Sequence, residues 1–243
     1  ETLEPRFPEL IYLSRSGMGE VGPYAGQKVY DYVIQGMSGL LEAQGVQDPY
    51  AMVRTIIFDK VTALTAAQAM TAALFARERG AGGQHIALSM LDTAVYFNWA
   101  DLMWNQSFEG EGAALAGDLA DLYEVSATRD GAIVSHPLNG DCSAYSTEEL
   151  IALFAANEIP VGRVNRRDDL LNDPQIQAAE TLERLQHPRA GAMIHPRAPA
   201  RFGATRHGLN QPSPDVGEHT AAVLMGLGYS MDTLIEWAQE GAI

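Results

Sequence analysis

The chain has one cysteine, Cys142, in 243 residues. No internal disulfide can brace it, and this cysteine usage fits a reducing compartment. Positive charge is also scarce: 16 Lys and Arg stand against 31 Asp and Glu, a formal charge of -15. Non-specific nucleic-acid binding needs a basic footprint, so nucleic acid is not an expected partner. No apolar run approaches the roughly 20 residues of a membrane span. The opening "ETLEPRFPEL" has no charged-then-apolar signal pattern. No membrane association and a cytoplasmic location are therefore expected. The six histidines, at 85, 136, 187, 195, 207 and 219, form no H-x-x-x-H or H-E-x-x-H pair, and there is no second cysteine, so no metal site is expected. The G-x-S-x-G elbow and the P-loop are missing as well.

A hydrophobic content of 47% is enough for a real core. Glu9 to Gly17 reads as a buried strand entering a loop punctuated by Gly17, Gly19, Gly22 and Gly26. Tyr30 to Gln44 has helical spacing, with Val33, Met37, Leu40 and Leu41 in step. "RTIIF" is short and β-rich. Thr62 to Arg79 predicts a helix apolar nearly all round, hence buried, with Gly80 stopping it at C′. "HIALSML" predicts a second strand. Strand, helix and strand joined by short glycine turns is α/β grammar. Phe97 to Val125 holds Trp99 and Trp104 around a Gly/Ala centre and reads as a crossing segment or linker. "YEVSATRDGAIVSHPL" predicts a hairpin turning at Asp130-Gly131. "STEELIALFAANEIP" predicts a helix opened by Ser146 or Thr147, with Glu149 in its first turn. From Gly162 to Arg206 the chain carries half of its sixteen basic residues. The tail predicts two helices broken at Gly228-Tyr229.

Few of the motifs carry chemistry unaided. Gly17-Met18-Gly19-Glu20-Val21-Gly22 matches G-x-G-x-x-G, with Glu42 about 20 residues on, as in a dinucleotide fingerprint. Pro23-Tyr24 follows the third glycine where that fingerprint opens a helix, which favours a plain loop. Cys142 lies in polar "NGDCSAY" and reads as an idle thiol. The arginines of the 162–206 stretch either solvate a surface, the favoured reading, or bind phosphate. Asp59 is the sharpest case. It stands just before the predicted helix, where aspartate is a good N-cap. There it would also sit in a field that favours anions and would stabilise oxyanions formed when a carboxylate attacks an acyl group. Local physics leaves both roles open.

Four longer segments carry a resemblance. "PELIYLSRSGMGEVGPYAGQKVYDYVIQGMSGL" holds a G-x-G-x-x-GPY loop and a Y-D-x-x-x-Q-x-x-S-G helix. "FDKVTALTAAQAMTAALFARERGAGGQHIALSMLD" holds an aspartate-led helix, a glycine turn and S-M-x-D. "NEIPVGRVNRRDDLLNDPQIQA" and "GEHTAAVLMGLGYSMDTLIEWAQEGAI" complete the set. Together, in this order, they resemble the class III CoA-transferases, which include formyl-CoA transferase, carnitine CoA-transferase and the α-methylacyl-CoA racemases.

The resemblance implies an α/β fold: a Rossmann-like parallel-sheet large domain completed by C-terminal helices, with a reduced small domain. It implies residues 1–98 as part of the large domain, 99–160 as linker and reduced small domain, and 161–243 as the return to the large domain. It also implies an interlocked homodimer. The implied reaction is transfer of CoA between carboxylic acids, with coenzyme A entering as acyl-CoA and no metal. Asp59 takes the place of the nucleophile, Tyr30 that of an active-site tyrosine of the transferase branch, and Lys28 that of a lysine that contacts CoA. A histidine stands at the Tyr30 position in the racemase branch, so tyrosine argues against the alternative of an acyl-CoA racemase or isomerase. The likeness starts partway into the family pattern and jumps between Leu138 and Thr147. An N-terminal CoA-binding stretch and part of the small domain are therefore expected to be missing. An inactive fragment serving as a subunit or binding partner is the third reading.

Overall fold

The computed structural model of the chain describes residues 3, 5–44, 50–104, 106–110, 112, 117–138, 140–205 and 211–243. Arg206, His207 and most of the Gly/Ala centre of the 97–125 segment lie outside the described residues. The chain divides into two compact units, Glu1–Gly162 and Arg163–Ile243.

The first unit begins with strand β1 (Ile11–Ser16), followed by a glycine loop with no helix until α1 (Asp31–Met37). The dinucleotide fingerprint therefore lacks the helix that its third glycine should open. Gly19 and Gly22 have φ of 93° and 95°, left-handed values that a glycine loop supplies without strain. The helical run predicted over Tyr30–Gln44 is two helices, α1 and α2 (Leu40–Gln44), because Gly39 breaks it at φ 82°.

"RTIIF" is not a strand. Helix α3 runs Ile57–Ala76, five residues earlier than expected, so Ile57 and Phe58 begin it. Their β propensity is overridden by burial: Phe58 is fully buried in the core cluster with Met18, Ile34, Leu40, Met90 and Ala94. Beyond Ala76 the helix widens into a π turn over Arg77–Ala81 and stops at Gly80, φ 93°. The expectation of a buried α3 fails. Phe58, Thr62 and Ala73 are its buried residues, whereas Leu64 and Phe75 are 72% and 67% exposed. An all-round apolar helix buries only the face that something covers.

Strand β2 (Gln84–Ser89) pairs in parallel with β1, Ile11 opposite Gln84 through Ser16 opposite Ser89. This β1–helices–β2 unit is the parallel α/β core. "HIALSML" ends as a strand at Ser89. Ser89 caps helix α4 (Met90–Leu102), its hydroxyl accepting from the Asp92 N–H at 3.0 Å and donating to the Asp92 carboxylate at 2.6 Å. S-M-x-D is thus a cap with a first turn. The glycine loop is pinned to this start by the Leu91 N–H, which donates to the Gly17 carbonyl at 3.0 Å.

Next comes an antiparallel hairpin, β3 (Glu124–Ala127) and β4 (Ala132–Ser135), with Asp130 and Gly131 in its turn as expected. Helix α5 (Thr147–Ala156) opens on a full capping box between Ser146 and Glu149. The short β5 (Val161–Arg163) completes a sheet ordered β3-β4-β5. A second cluster of Ile133, Cys142 and Leu150 fills this part, so Cys142 is a buried apolar group here.

The second unit holds α6 (Pro174–Ala178), the antiparallel pair β6 (Leu182–His187) and β7 (Gly191–Pro196), α7 (Thr220–Gly226) and α8 (Met231–Gln239). In D-P-Q, Asp173 caps α6 by accepting the Gln175 and Ile176 N–H groups at 2.9 Å each, and Asn165 donates to its other oxygen at 2.9 Å. Gly228, φ 95°, breaks α7 from α8 as expected.

Candidate active site

The site is built where α1 meets the first turn of α3. Ile56, the residue before α3, offers no capping side chain. The Asp31 carboxylate, 3% exposed, takes that role from a different helix. Its Oδ2 accepts the Phe58 N–H at 2.6 Å and, more weakly, the Asp59 N–H at 3.4 Å. The Ile57 N–H donates to the Thr55 carbonyl at 2.9 Å and the Lys60 N–H to the Ile56 carbonyl at 3.4 Å. The N–H groups of the first three helical residues, which have no partner within the helix, are thereby used, and the Lys60 N–H makes the helix's own first bond.

Two expectations about Asp59 change as a result. It is not the N-cap, since it lies inside the first turn. Nor are the first N–H groups of α3 available to an oxyanion, because a buried carboxylate already occupies the positive end of the helix. What remains is a half-buried Asp59 whose own carboxylate is bonded by none of the described residues.

Asp31 is itself held. Gln35, one turn along α1 and 1% exposed, donates its amide to Asp31 Oδ1. The same amide donates to the Val53 and Thr55 carbonyls at 3.2 and 3.1 Å and accepts the Val53 N–H at 3.1 Å. Sequence reading placed Asp31 and Gln35 in a motif without a role. The available signal was two polar residues at i and i+4 on an apolar helix face, which predicts a buried pair.

Tyr30 immediately precedes Asp31, so the backbone brings it to the same corner as Asp59. Its ring is 71% exposed and stacks on Tyr32, centroids 6.1 Å apart. Lys28 lies two residues earlier, exposed, and no described residue pairs with its ammonium. An exposed cation two residues before an exposed aromatic ring has the chemistry to meet a phosphate-bearing ligand. The arginine stretch is different. Arg197 spends its guanidinium on the Ala179, Glu180, Ala198 and Pro199 carbonyls, Arg201 bonds the Ala179 carbonyl, and Arg189 pairs with Asp215 at 2.9 Å. Among the described residues no three His, Cys, Asp or Glu side chains converge as a metal would require. No helix among them is long and apolar enough to cross a membrane.

Comparison with known proteins gives a consistent picture. The model of the family described as CoA-transferase family III matches residues 1–141 and 134–220. The succinate–glutarate CoA-transferase of Agrobacterium fabrum is 28% identical, over 93% of this chain and 68% of its own length. The succinyl-CoA:glutarate CoA-transferase of Mus musculus is 25% identical, over 92% of this chain and 61% of its own length. The chain thus spans about two thirds of the length of these relatives. A solved CaiB/BaiF family protein from Brucella suis superposes with a TM-score of 0.75 at 24% identity, over 93% of this chain and 70% of its own. That likeness is one of fold.

Proposed function

The chain belongs to CoA-transferase family III, and from that premise we propose that it carries the machinery for moving CoA between carboxylic acids, with Asp59 as the covalent nucleophile. The observation that supports this role is the division of labour between two aspartates. Asp31 caps α3, which leaves the half-buried Asp59 carboxylate in the first turn without a structural bond among the described residues.

The proposed sequence balances without an oxidant, a metal or water. An Asp59 carboxylate oxygen attacks the thioester carbon of an acyl-CoA, the C–S bond breaks, and CoA leaves as thiolate. The product is a mixed anhydride. The thiolate then attacks the aspartyl carbonyl, the anhydride C–O bond breaks, and the first acid leaves as carboxylate. The resulting aspartyl-CoA thioester is attacked by the acceptor carboxylate, which releases CoA thiolate and forms a second anhydride. Attack of the thiolate on the acceptor's acyl carbon gives the new acyl-CoA and frees Asp59. Splitting one difficult displacement into several easier ones is covalent catalysis. Tyr30 would border the acyl group, and Lys28 would meet a CoA phosphate. The relatives named for succinate and glutarate make short dicarboxylates the first acids to test. A homodimer belongs to the same proposal, and the exposed Tyr96, Phe97 and Trp99 of α4 are apolar surface that a second copy would cover.

The test mixes the protein with succinyl-CoA and glutarate. Turnover is read by the appearance of glutaryl-CoA, and the covalent adduct by intact mass followed by peptide mapping. A CoA adduct on Asp59 is expected, and Asp59→Ala should lower turnover roughly 10⁴-fold or more. Full turnover by a clean Asp59→Ala preparation would overturn the assignment. Entry of solvent deuterium at the α-carbon of an acyl-CoA, without transfer, would point to isomerisation instead.

A further inference from the structure

Resting on that reading of Asp59, we infer that Gln35 is a positioning residue for the nucleophile, joining the loop at 53–55 to the carboxylate that holds the first turn of α3.

Each link is a hydrogen bond. The Gln35 amide oxygen accepts the Val53 N–H at 3.1 Å, and its NH₂ donates to the Val53 carbonyl at 3.2 Å, the Thr55 carbonyl at 3.1 Å and Asp31 Oδ1. Asp31 passes the constraint on through Oδ2 to the Phe58 and Asp59 N–H groups. Both side chains are almost fully buried, where water cannot replace a lost partner. Only three residues separate Thr55 from Asp59, so Gln35 grips the chain just before the helix and, through Asp31, the peptide of the nucleophile itself.

The chemistry of the side chain is specific. Position 35 must donate to three acceptors and accept from one donor. A primary amide donates and accepts at once, and its two N–H hydrogens are shared among the three acceptors. Glutamate has the same length but would turn an oxygen towards the Asp31 carboxylate and both carbonyls. A misplacement of about 1 Å at a reacting group costs on the order of 10²-fold in rate, so loosening this clamp should act on catalysis before it acts on binding.

Gln35→Glu is the discriminating variant. The expected result is a kcat lowered about 10- to 100-fold for succinyl-CoA and glutarate, with KM for succinyl-CoA changed less than about threefold, since a positioning loss falls on the transition state. A new pH dependence should accompany it. A proton shared by the two facing carboxyl groups restores a donor between them, so the variant should regain kcat as the pH falls from about 8 to about 5, in the range where paired carboxyls titrate. The unsubstituted protein should show no matching rise. Backbone hydrogen exchange should speed up in peptides spanning 53–60 and stay unchanged across β1 and β2. Should Gln35→Glu not fold at pH 8, Gln35→Met removes the donors without adding a charge. It should show the same local exchange and kcat loss but no acid recovery.

Unchanged exchange at 53–60 in either folded variant would overturn the clamp, and an unchanged kcat would overturn its role in positioning Asp59. The exchange readout does not involve turnover, so it separates this inference from the nucleophile assignment. An active Asp59→Ala protein would sink the assignment of Asp59, and only unaltered exchange would sink the clamp.

Discussion

Replacing Asp31 by asparagine probes the capping arrangement most directly. The carboxylate is 3% exposed, and donors face both of its oxygens: the Gln35 amide at Oδ1, and at Oδ2 the Phe58 N–H at 2.6 Å and the Asp59 N–H at 3.4 Å. Asparagine keeps the shape but offers one oxygen and one NH₂. Whichever way it turns, an NH₂ meets a donor. A hydrogen bond to a charged group contributes about 1.5–3 kcal/mol, and a buried donor left without a partner costs about 1–3 kcal/mol. The bonding at one of the two oxygen positions survives in neutral form, and the helix-cap contribution is already contained in these figures. The expected loss for Asp31→Asn is therefore about 2–4 kcal/mol. Urea unfolding measures it in a Trp237→Phe background, so that fluorescence comes from Trp99 and Trp104 in the first unit. The midpoint should fall with the slope unchanged. Asp31→Asn and Gln35→Glu share one network, so together they should cost less than the sum of the single changes. A loss for Asp31→Asn below about 0.5 kcal/mol, the size of an ordinary surface change, would refute the reasoning.

Two further outcomes follow from the geometry. A Cβ at Gly83 would lie 2.3 Å from the Leu10 carbonyl oxygen and 2.6 Å from the Leu10 nitrogen; Gly83→Ala must push backbone apart where the Gly83 N–H donates to Pro8, and should lower the same urea midpoint by more than a surface substitution does. For pH, the Thr147 backbone N–H and then its hydroxyl, both at 2.8 Å, hold the Asp130 carboxyl below its ordinary range. A carboxyl depressed in the folded state stabilises the fold above its unfolded value near pH 4, and that contribution is lost as the pH falls through the folded value beneath it. Stability should therefore drop below about pH 4, and Asp130→Asn should show a shallower drop in urea titrations from pH 6 to pH 2; parallel curves would contradict this.

Features set by near neighbours were legible from the residues alone. The Ser146–Glu149 capping box, the Asp130-Gly131 turn, the stop at Gly80 and the break at Gly228 all depend on spacings of a few residues, and the last two on the left-handed freedom of glycine. The β1–helix–β2 order was legible for the same reason. The hairpin of β6 and β7 was hidden in the arginine-rich stretch, because its residues alternate between half-buried and exposed without a strong apolar signal.

Asp59 marks where such reading ends. The sequence by itself determined that an acid stands at the head of an apolar helix, within an ordered set of motifs, and that was enough to select it as a candidate. Whether that acid caps the helix could not be read there. Asp59 lies 28 positions after Asp31, and local spacing carries no information about a carboxylate arriving from another helix. Tertiary structure alone decided that Asp31 takes the N–H groups, that Gln35 holds Asp31, and that "RTIIF" bends into a helix start rather than pairing as a strand. The physical reason is that a buried helix end must satisfy its donors with whatever acceptor the fold brings there, and here the fold brings Asp31 and leaves Asp59 unspent.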